Sequence, residues 1–154
     1  RRIKRSISID IKTIKFCDEL LLKKLAKFVE LKEYITEKKK EIDLENKKQK
    51  INQDDLIASG LTNVGLFRQY IFNYLKDHKG IRDDLTFLIR QLQPGQSGLP
   101  IEIYVFTNDT DWVNYENIQS DIFDHLLAVL PAFDLSAFQI ISDNNDQVKR
   151  IKDK

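Results

Sequence analysis

The sequence of 154 residues contains no methionine, one cysteine, one tryptophan, three prolines and five glycines. The lone thiol, Cys17, excludes an internal disulfide framework and the Cys/His spacings of zinc sites. We therefore expect a reducing compartment. Residues 1–5, RRIKR, contain no initiator and begin no signal peptide, so we expect the chain to be a piece of a longer protein.

An excess of charge of one sign and long apolar runs are missing as well. The 25 Lys and Arg residues are balanced by 24 Asp and Glu residues, so no overall field favours a nucleic acid or an acidic partner. No window approaches the roughly 18 continuous apolar residues that a transmembrane helix needs. A chain of this length suits one domain with a proper core, which amphipathic elements must supply.

Local motifs for catalysis, cofactors and metals are also lacking. His125 lies near Asp121 and Asp124 in the sequence, but one histidine with nearby acids on a helix is neither a metal site nor a catalytic triad. His78 falls in the last turn of a helical pattern, where a cation interacts well with the helix C-terminus. No Gly-rich loop could cradle a phosphate. We expect no enzyme activity, no cofactor and no metal site.

Residues 85–108 predict an antiparallel β-hairpin. Prolines and glycines between residues 94 and 100 restrict φ or give access to positive φ, so the chain must reverse there. A register centred near Ser97 would place residue 89 opposite 105 and residue 90 opposite 104. The odd positions of both arms are apolar. The even positions are only partly apolar, with Leu88, Arg90, Leu92, Glu102, Tyr104 and Phe106.

Periodicity predicts the other elements around this hairpin. Alternation from Ile3 to Ile11 indicates a half-buried strand, with a bulge or bend near Thr13. A first helix begins at the N-cap Asp18 and runs into a lysine-rich stretch that extends into solvent up to residue 50. Residues 51–60 read as a loop. The remaining signals are an N-cap at Thr62 with Gly80 ending that helix, a cap within 109–111 with Pro131 closing the third helix, and a short strand over 135–141.

The order strand, helix, helix, hairpin, helix, strand predicts an α+β fold. Without the second helix it is βαββαβ, the ferredoxin-like arrangement, so this fold carries an extra helix between the first helix and the central hairpin. We expect a single domain over residues 1–141, with an inserted helical segment at 51–80. The polar tail 142–154 is expected to fray. Two helices would cover the odd face of the sheet and leave the even face bare.

This fold alone does not choose a function, because it serves RNA binders, ligand sensors and assembly modules. Residues 103–108, IYVFTN, are superficially similar to the aromatic strand motif that stacks bases, but residues 85–90, LTFLIR, lack the basic, Gly-rich companion motif. A free-standing ligand-sensing or RNA-binding module stays open as the alternative. The basic residues at 1–5 leave a phosphate or lipid-head contact open beside a purely structural role.

Four stretches carry a more specific signal. They are RRIKRSISIDIKTIKFCDELLLKKL, TNVGLFRQYIFNYLKDH, RQLQPGQSGLPIEIYVFTN and DWVNYENIQSDIFDHLLAVLPAF. In this order they resemble the C-terminal cytoplasmic domain of mechanosensitive channels of the MscS family, particularly the miniconductance (MscM-like) type. The resemblance implies that residues 1–17 form a strand leaving a middle β-domain, and that the segment around residues 62–78 is a helix that this branch inserts.

The resemblance also implies a function. Subunits of that family form a homo-oligomer, a heptamer, whose C-terminal domains enclose a soluble vestibule on the cytoplasmic side of a bacterial inner membrane. Ions and solutes would reach the pore through its side portals during osmotic downshock, when tension opens a gate in upstream membrane helices. The partner implied is the protein itself and the membrane through those helices, with no nucleic acid.

The bare even face is our candidate subunit interface. Its apolar side chains would contact a neighbouring subunit, and its charged pair would fix the register of that contact. The candidate residues are Leu88, Arg90, Leu92, Glu102, Tyr104 and Phe106. A face merely shielded by residues 131–154 of the same chain stays open as the alternative.

Overall fold

The computed structural model describes residues 1–48 and 60–140. Within these residues it has four α-helices and four strands in an antiparallel sheet, so the predicted α+β class is confirmed. The strands are β1 (Arg2–Ile9), β2 (Ile81–Arg82), β3 (Leu88–Gln91) and β4 (Leu99–Thr107). The helices are α1 (Glu19–Leu25), α2 (Val29–Lys48), α3 (Asn63–Lys76) and α4 (Trp112–Val129).

Strand β4 is the centre of the sheet. β1 pairs with it along its whole length on one side, and β2 and β3 pair with it on the other side. Beyond β1, Ala137 forms an isolated bridge with Ile9, flanked by backbone hydrogen bonds from Asp10 N to Ser136 O and from Phe138 N to Ser8 O. The prediction of a final strand over 135–141 is therefore wrong for residues 135–140, since a single bridge replaces it. Residue 141 lies outside the described residues.

The chain bends after β1, as predicted from its shift in apolar phase. The strand ends at Ile9, two residues earlier than expected, because Asp10 caps a short 3-10 helix over Ile11–Thr13 by accepting a hydrogen bond from Lys12 N. A capped turn satisfies backbone groups that would otherwise continue the ladder. The chain leaves this turn towards α1.

The predicted helix starts are confirmed. Asp18, Thr62 and Asp111 each accept a hydrogen bond from the backbone N–H three residues on, which is the local chemistry that an N-cap supplies. The prediction of one continuous first helix is wrong, since the structure has two helices, α1 and α2, with a break between them. Phe28 lies at this break and packs its ring 5.1 Å from Tyr70 and 5.9 Å from Phe133. Helix α3, which the sequence predicted as the second helix, ends at Lys76 rather than at Gly80.

The hairpin has a different register from the one predicted. Ile89 lies opposite Ile103 and Arg90 lies opposite Glu102, a shift of two residues that keeps odd residues facing odd ones. The cause is the turn, in which the backbone N–H and C=O groups of Gly95 and Gly98 hydrogen-bond to each other. Gln96 and Ser97 lie between them. The first arm is also shorter than predicted, because β3 begins at Leu88, whereas the alternation was read from Leu85.

Gly98 is the position at which this turn meets β1. Its φ of +85° lies in the left-handed region, and a Cβ added there would lie 2.3 Å from the carbonyl oxygen of Ile9. Both observations require glycine. The turn therefore locks the hairpin onto the end of β1, close to the bridge at Ala137.

The core lies between the odd face of the sheet and the helices. Ile3, Ile9, Ile101, Ile103 and Val105 are fully buried there. Helices α1, α2, α3 and α4 all contribute buried side chains to the same cluster. Within residues 1–48 and 60–140, no helix is long and apolar enough to cross a membrane. Residues 51–59 of the predicted loop at 51–60, and the predicted tail at 142–154, lie outside the described residues.

Candidate functional site

The even residues of the sheet form a second surface, which is partly exposed within residues 1–48 and 60–140 and which we call the uncovered face. It comprises Arg2, Lys4, Ser6, Arg82, Leu88, Arg90, Glu102, Tyr104 and Phe106. The register places Arg2, Lys4 and Ser6 of β1 directly opposite Phe106, Tyr104 and Glu102 of β4. Side chains on opposite partners of an antiparallel pair share one face. All four strands therefore contribute to this surface.

The candidate residues are brought together by this register, with one ion pair among them. Arg90 Nε donates a hydrogen bond of 3.0 Å to Glu102 Oε1, and Arg90 Nη2 lies 2.9 Å from the same oxygen. The Glu102 side chain is 8% exposed, whereas that of Arg90 is 48% exposed. A carboxylate so deeply buried requires its cation, because an unpaired buried charge is costly.

An aromatic pair lies beside this ion pair. The Tyr104 and Phe106 rings are 5.9 Å apart in an edge-to-face arrangement, and the Arg2 guanidinium lies 5.7 Å from the centre of the Tyr104 ring. Both rings are half-buried. Cations and aromatic rings attract in this geometry. The result is an apolar patch with a basic edge.

The remaining candidates extend the patch at its hairpin end. Leu88 is exposed and lies opposite Tyr104. Leu92 is half-buried, and its backbone N–H bonds to Pro100 O. The prediction omitted Arg2, Lys4 and Ser6, although their even positions in an alternating strand, with a predicted sheet, were a signal for the same face.

A second polar cluster lies in the helical layer. The Tyr70 hydroxyl is 2.7 Å from His125 Nε2, and the His125 ring stacks on Tyr74 with centres 4.3 Å apart. Burial raises the pKa of Tyr70 to about 12, so its hydroxyl stays protonated near neutral pH. This cluster joins α3 to α4.

His78 lies at the edge of the same cluster and does not act as predicted. Its Nδ1 accepts a hydrogen bond of 2.9 Å from Gly80 N, and its ring centre lies 5.8 Å from that of Tyr74. Burial lowers the pKa of His78, an effect that Asp121 opposes and His125 reinforces. An Nδ1 that accepts a hydrogen bond carries no proton, so the His78 ring is neutral in this arrangement. The prediction that His78 acts as a cation at the helix C-terminus is therefore wrong.

Asn63 was not singled out from the sequence, yet it is a fully buried polar side chain. Its Nδ2 donates to the carbonyl oxygens of Thr13 and Phe133, and its Oδ1 accepts from Lys15 N and Val64 N. Every hydrogen-bonding position of the amide is used, as burial requires. Its role is structural, and its remote partners leave no sequence signal.

Residues that could act as nucleophiles or metal ligands do not cluster elsewhere in the described part of the chain. Burial raises the pKa of Cys17 to about 11, so this thiol is a poor nucleophile. In the described part of the chain, no three His, Cys, Asp or Glu side chains gather in a way that could hold a metal ion. The uncovered face is therefore the surface that calls for a functional explanation.

Comparison with known protein families identifies a match over most of the chain. The model of the family described as "Mechanosensitive ion channel MscS, C-terminal" matches residues 3–137. The matched range begins one residue into β1 and contains β2 to β4, all four helices and the bridge at Ala137.

Proposed function

The chain belongs to the MscS family of mechanosensitive ion channels as its C-terminal domain, and we propose that its uncovered face joins neighbouring subunits of the channel. Proteins of this family assemble as homo-oligomers, so some surface of this domain lies near another copy. The observation that carries the proposal is the composition of the uncovered face, where Leu88, Tyr104 and Phe106 remain partly accessible. Apolar cores with a polar rim are the usual anatomy of subunit interfaces.

We also propose a fold type for the domain and a place for it in the channel. We infer a ferredoxin-like arrangement with α3 as the added helix, and the spatial order from Ala137 through β1 and β4 to β3 supports it. The domain would be of the miniconductance type and form a heptameric vestibule on the cytoplasmic side of a bacterial inner membrane. It would support assembly and give solutes access to the pore during osmotic downshock, with the gate in upstream helices.

The interface is tested by Tyr104→Glu in the full-length protein in detergent. A carboxylate placed beside Phe106 and Leu88 would have to be desolvated on assembly, so the oligomer should dissociate at higher protein concentration than the wild type. Native mass spectrometry reports the distribution of oligomers. Val29→Glu is the matched control, because Val29 is 90% exposed on α2, away from the sheet.

Two results would count against the proposal. Unchanged assembly of Tyr104→Glu, with the fold verified by circular dichroism, would remove the uncovered face from the interface. Equal weakening by Val29→Glu would show a general effect of added charge. The alternative of a free-standing ligand-sensing or RNA-binding module is not favoured by the family match. RNA binding would predict submicromolar, salt-dependent RNA affinity.

A further inference from the structure

The outer side of α4 is acidic and partly apolar. The helix contains Glu116, Asp121 and Asp124 and no lysine or arginine. Among the described residues, none of these three carboxylates forms an ion pair. Val113 and Leu127 are exposed on the same helix. We call this surface the acidic side of α4.

The uncovered face has the opposite character. Arg90 is paired with Glu102 and Arg82 is paired with Asp84. Arg2 and Lys4 are exposed, and neither has a carboxylate partner within residues 1–48 and 60–140. Among the residues that the structure describes, two basic groups thus border an apolar patch without a carboxylate partner.

The two surfaces lie on opposite sides of the domain. Helix α4 buries Ile122, Phe123 and Leu126, and the guanidinium of Arg5, an odd residue of β1, lies 4.3 Å from the centre of the Phe123 ring. The buried stripe of α4 therefore contacts the odd face of the sheet. Its exposed stripe points away from the sheet, and the uncovered face points the other way.

We propose that the acidic side of α4 in one subunit docks on the uncovered face of the next subunit. This inference rests on the proposed function and adds the identity of the opposing surface. It brings the carboxylates of α4 onto Arg2 and Lys4, while Leu127 and Val113 meet the aromatic patch. Two different patches in contact make a head-to-tail interface, which closes into a ring when the rotation per subunit permits.

The competing arrangement joins two uncovered faces across a twofold axis. It would bring Arg2 and Lys4 of both copies together, and like charges in contact oppose association. It would also leave the carboxylates of α4 unused. Charge complementarity therefore favours the head-to-tail contact.

Cross-linking distinguishes these arrangements in the full-length protein. In a cysteine-free background that includes Cys17→Ser, Ser6→Cys places a thiol on the uncovered face and Ser120→Cys places one on the acidic side of α4. Both serines are exposed. A short bis-maleimide reagent should link the double variant into a ladder of dimers, trimers and larger species. Ser6→Cys combined with Glu37→Cys on α2 is the matched control and should give no ladder.

Each outcome has a defined meaning. Dimers from Ser6→Cys alone would show two uncovered faces in contact and overturn the inference. No ladder from the Ser6→Cys, Ser120→Cys pair would also overturn it, and the proposed function would survive if Tyr104→Glu still weakened assembly. If neither Ser6→Cys alone nor the pair gives cross-links, and Tyr104→Glu leaves assembly unchanged, the uncovered face is not an interface.

Charge reversal provides the second measurement. Lys4→Glu and Asp124→Lys should each reduce the yield of the ladder, by roughly tenfold for a like-charge contact at the interface. The two changes together should restore it, because the pair is then complementary with reversed sign. Absence of restoration would show that these charges do not meet.

Discussion

The two faces of the nine-residue strand β4 differ in how deeply their side chains are buried. Ile101, Ile103 and Val105 are fully buried against helices, whereas Tyr104 and Phe106 keep part of their surface in water. An antiparallel sheet covered on one side usually carries polar residues on the other. Here the even face of β4 carries Tyr104 and Phe106 beside Glu102, so the hydrophobic pattern of β4 distinguishes the two faces less sharply than it would with a fully polar face.

The neighbouring strand supplies the missing distinction. Along β1 the odd residues Ile3, Ile7 and Ile9 are buried, while the even residues are basic or hydroxylic. Fully burying a large apolar side chain stabilises a fold by roughly 1.5–3 kcal/mol. The helices provide this stabilisation on the odd face. On the even face it is still available to a partner.

Substitutions in the buried face of β4 should have the largest effect on stability. Ile103→Ala removes a fully buried side chain and should lower the free energy of unfolding by about 2–5 kcal/mol. Tyr104→Ala, one residue along the strand, should cost about 1 kcal/mol, because its ring is only half-buried in the monomer. Urea unfolding at low protein concentration measures both. Equal losses would mean that part of the same chain covers the even face.

Local chemistry was predictable from the sequence. The caps at Asp18, Thr62 and Asp111 depend on a side chain and a backbone group three residues apart. The first two were predicted as these residues, and the third was predicted within 109–111. The hairpin register was missed by two residues, because it depends on how Gly95 and Gly98 close the turn. The break before α2 was missed for a similar reason. Residues 26–28, where the chain breaks, include no Pro or Gly that would have marked the break. Phe28 instead packs on Tyr70, which is remote in the sequence.

The candidate site was predictable in outline. Alternation was sufficient to place Arg90, Glu102, Tyr104 and Phe106 on one face, since a shift of two residues preserves parity. The deep burial of Glu102 was not predictable, because it follows from the central position of β4 in the sheet. The contribution of Arg2 and Lys4 requires the pairing of β1 with β4, which joins residues about a hundred positions apart.

Loss of the Arg90–Glu102 ion pair on the uncovered face should have a smaller effect on stability. Arg90→Gln leaves the buried Glu102 carboxylate without its cation and should cost roughly 1–3 kcal/mol of unfolding free energy. Arg82→Gln is the matched control, since Arg82 and Asp84 form an ion pair with both side chains exposed, and it should cost less than about 1 kcal/mol. Urea unfolding compares the two variants. Losses of the same size would show that the burial of Glu102 contributes nothing to the value of its ion pair.

The smallest expected effect lies in the helical layer over the covered face and depends on pH. Burial holds the pKa of His78 below its ordinary value of 6.5, so the unfolded chain binds a proton there more readily than the folded chain. The contribution of neutral His78 is therefore fully present above pH 6.5 and is lost as pH falls below it. Because the ring is partly exposed, we expect less than about 1 kcal/mol between pH 7.5 and pH 5.5.

His78→Asn isolates this contribution. Its Oδ1 can accept the hydrogen bond from Gly80 N in place of Nδ1, and it does not titrate. Chemical unfolding at the two pH values should show a smaller loss on acidification for the variant than for the wild type. The pKa values of Asp84 and Asp109 are held below 3.8, so these carboxylates do not contribute in this window. An identical loss in both proteins would assign the pH dependence to another group.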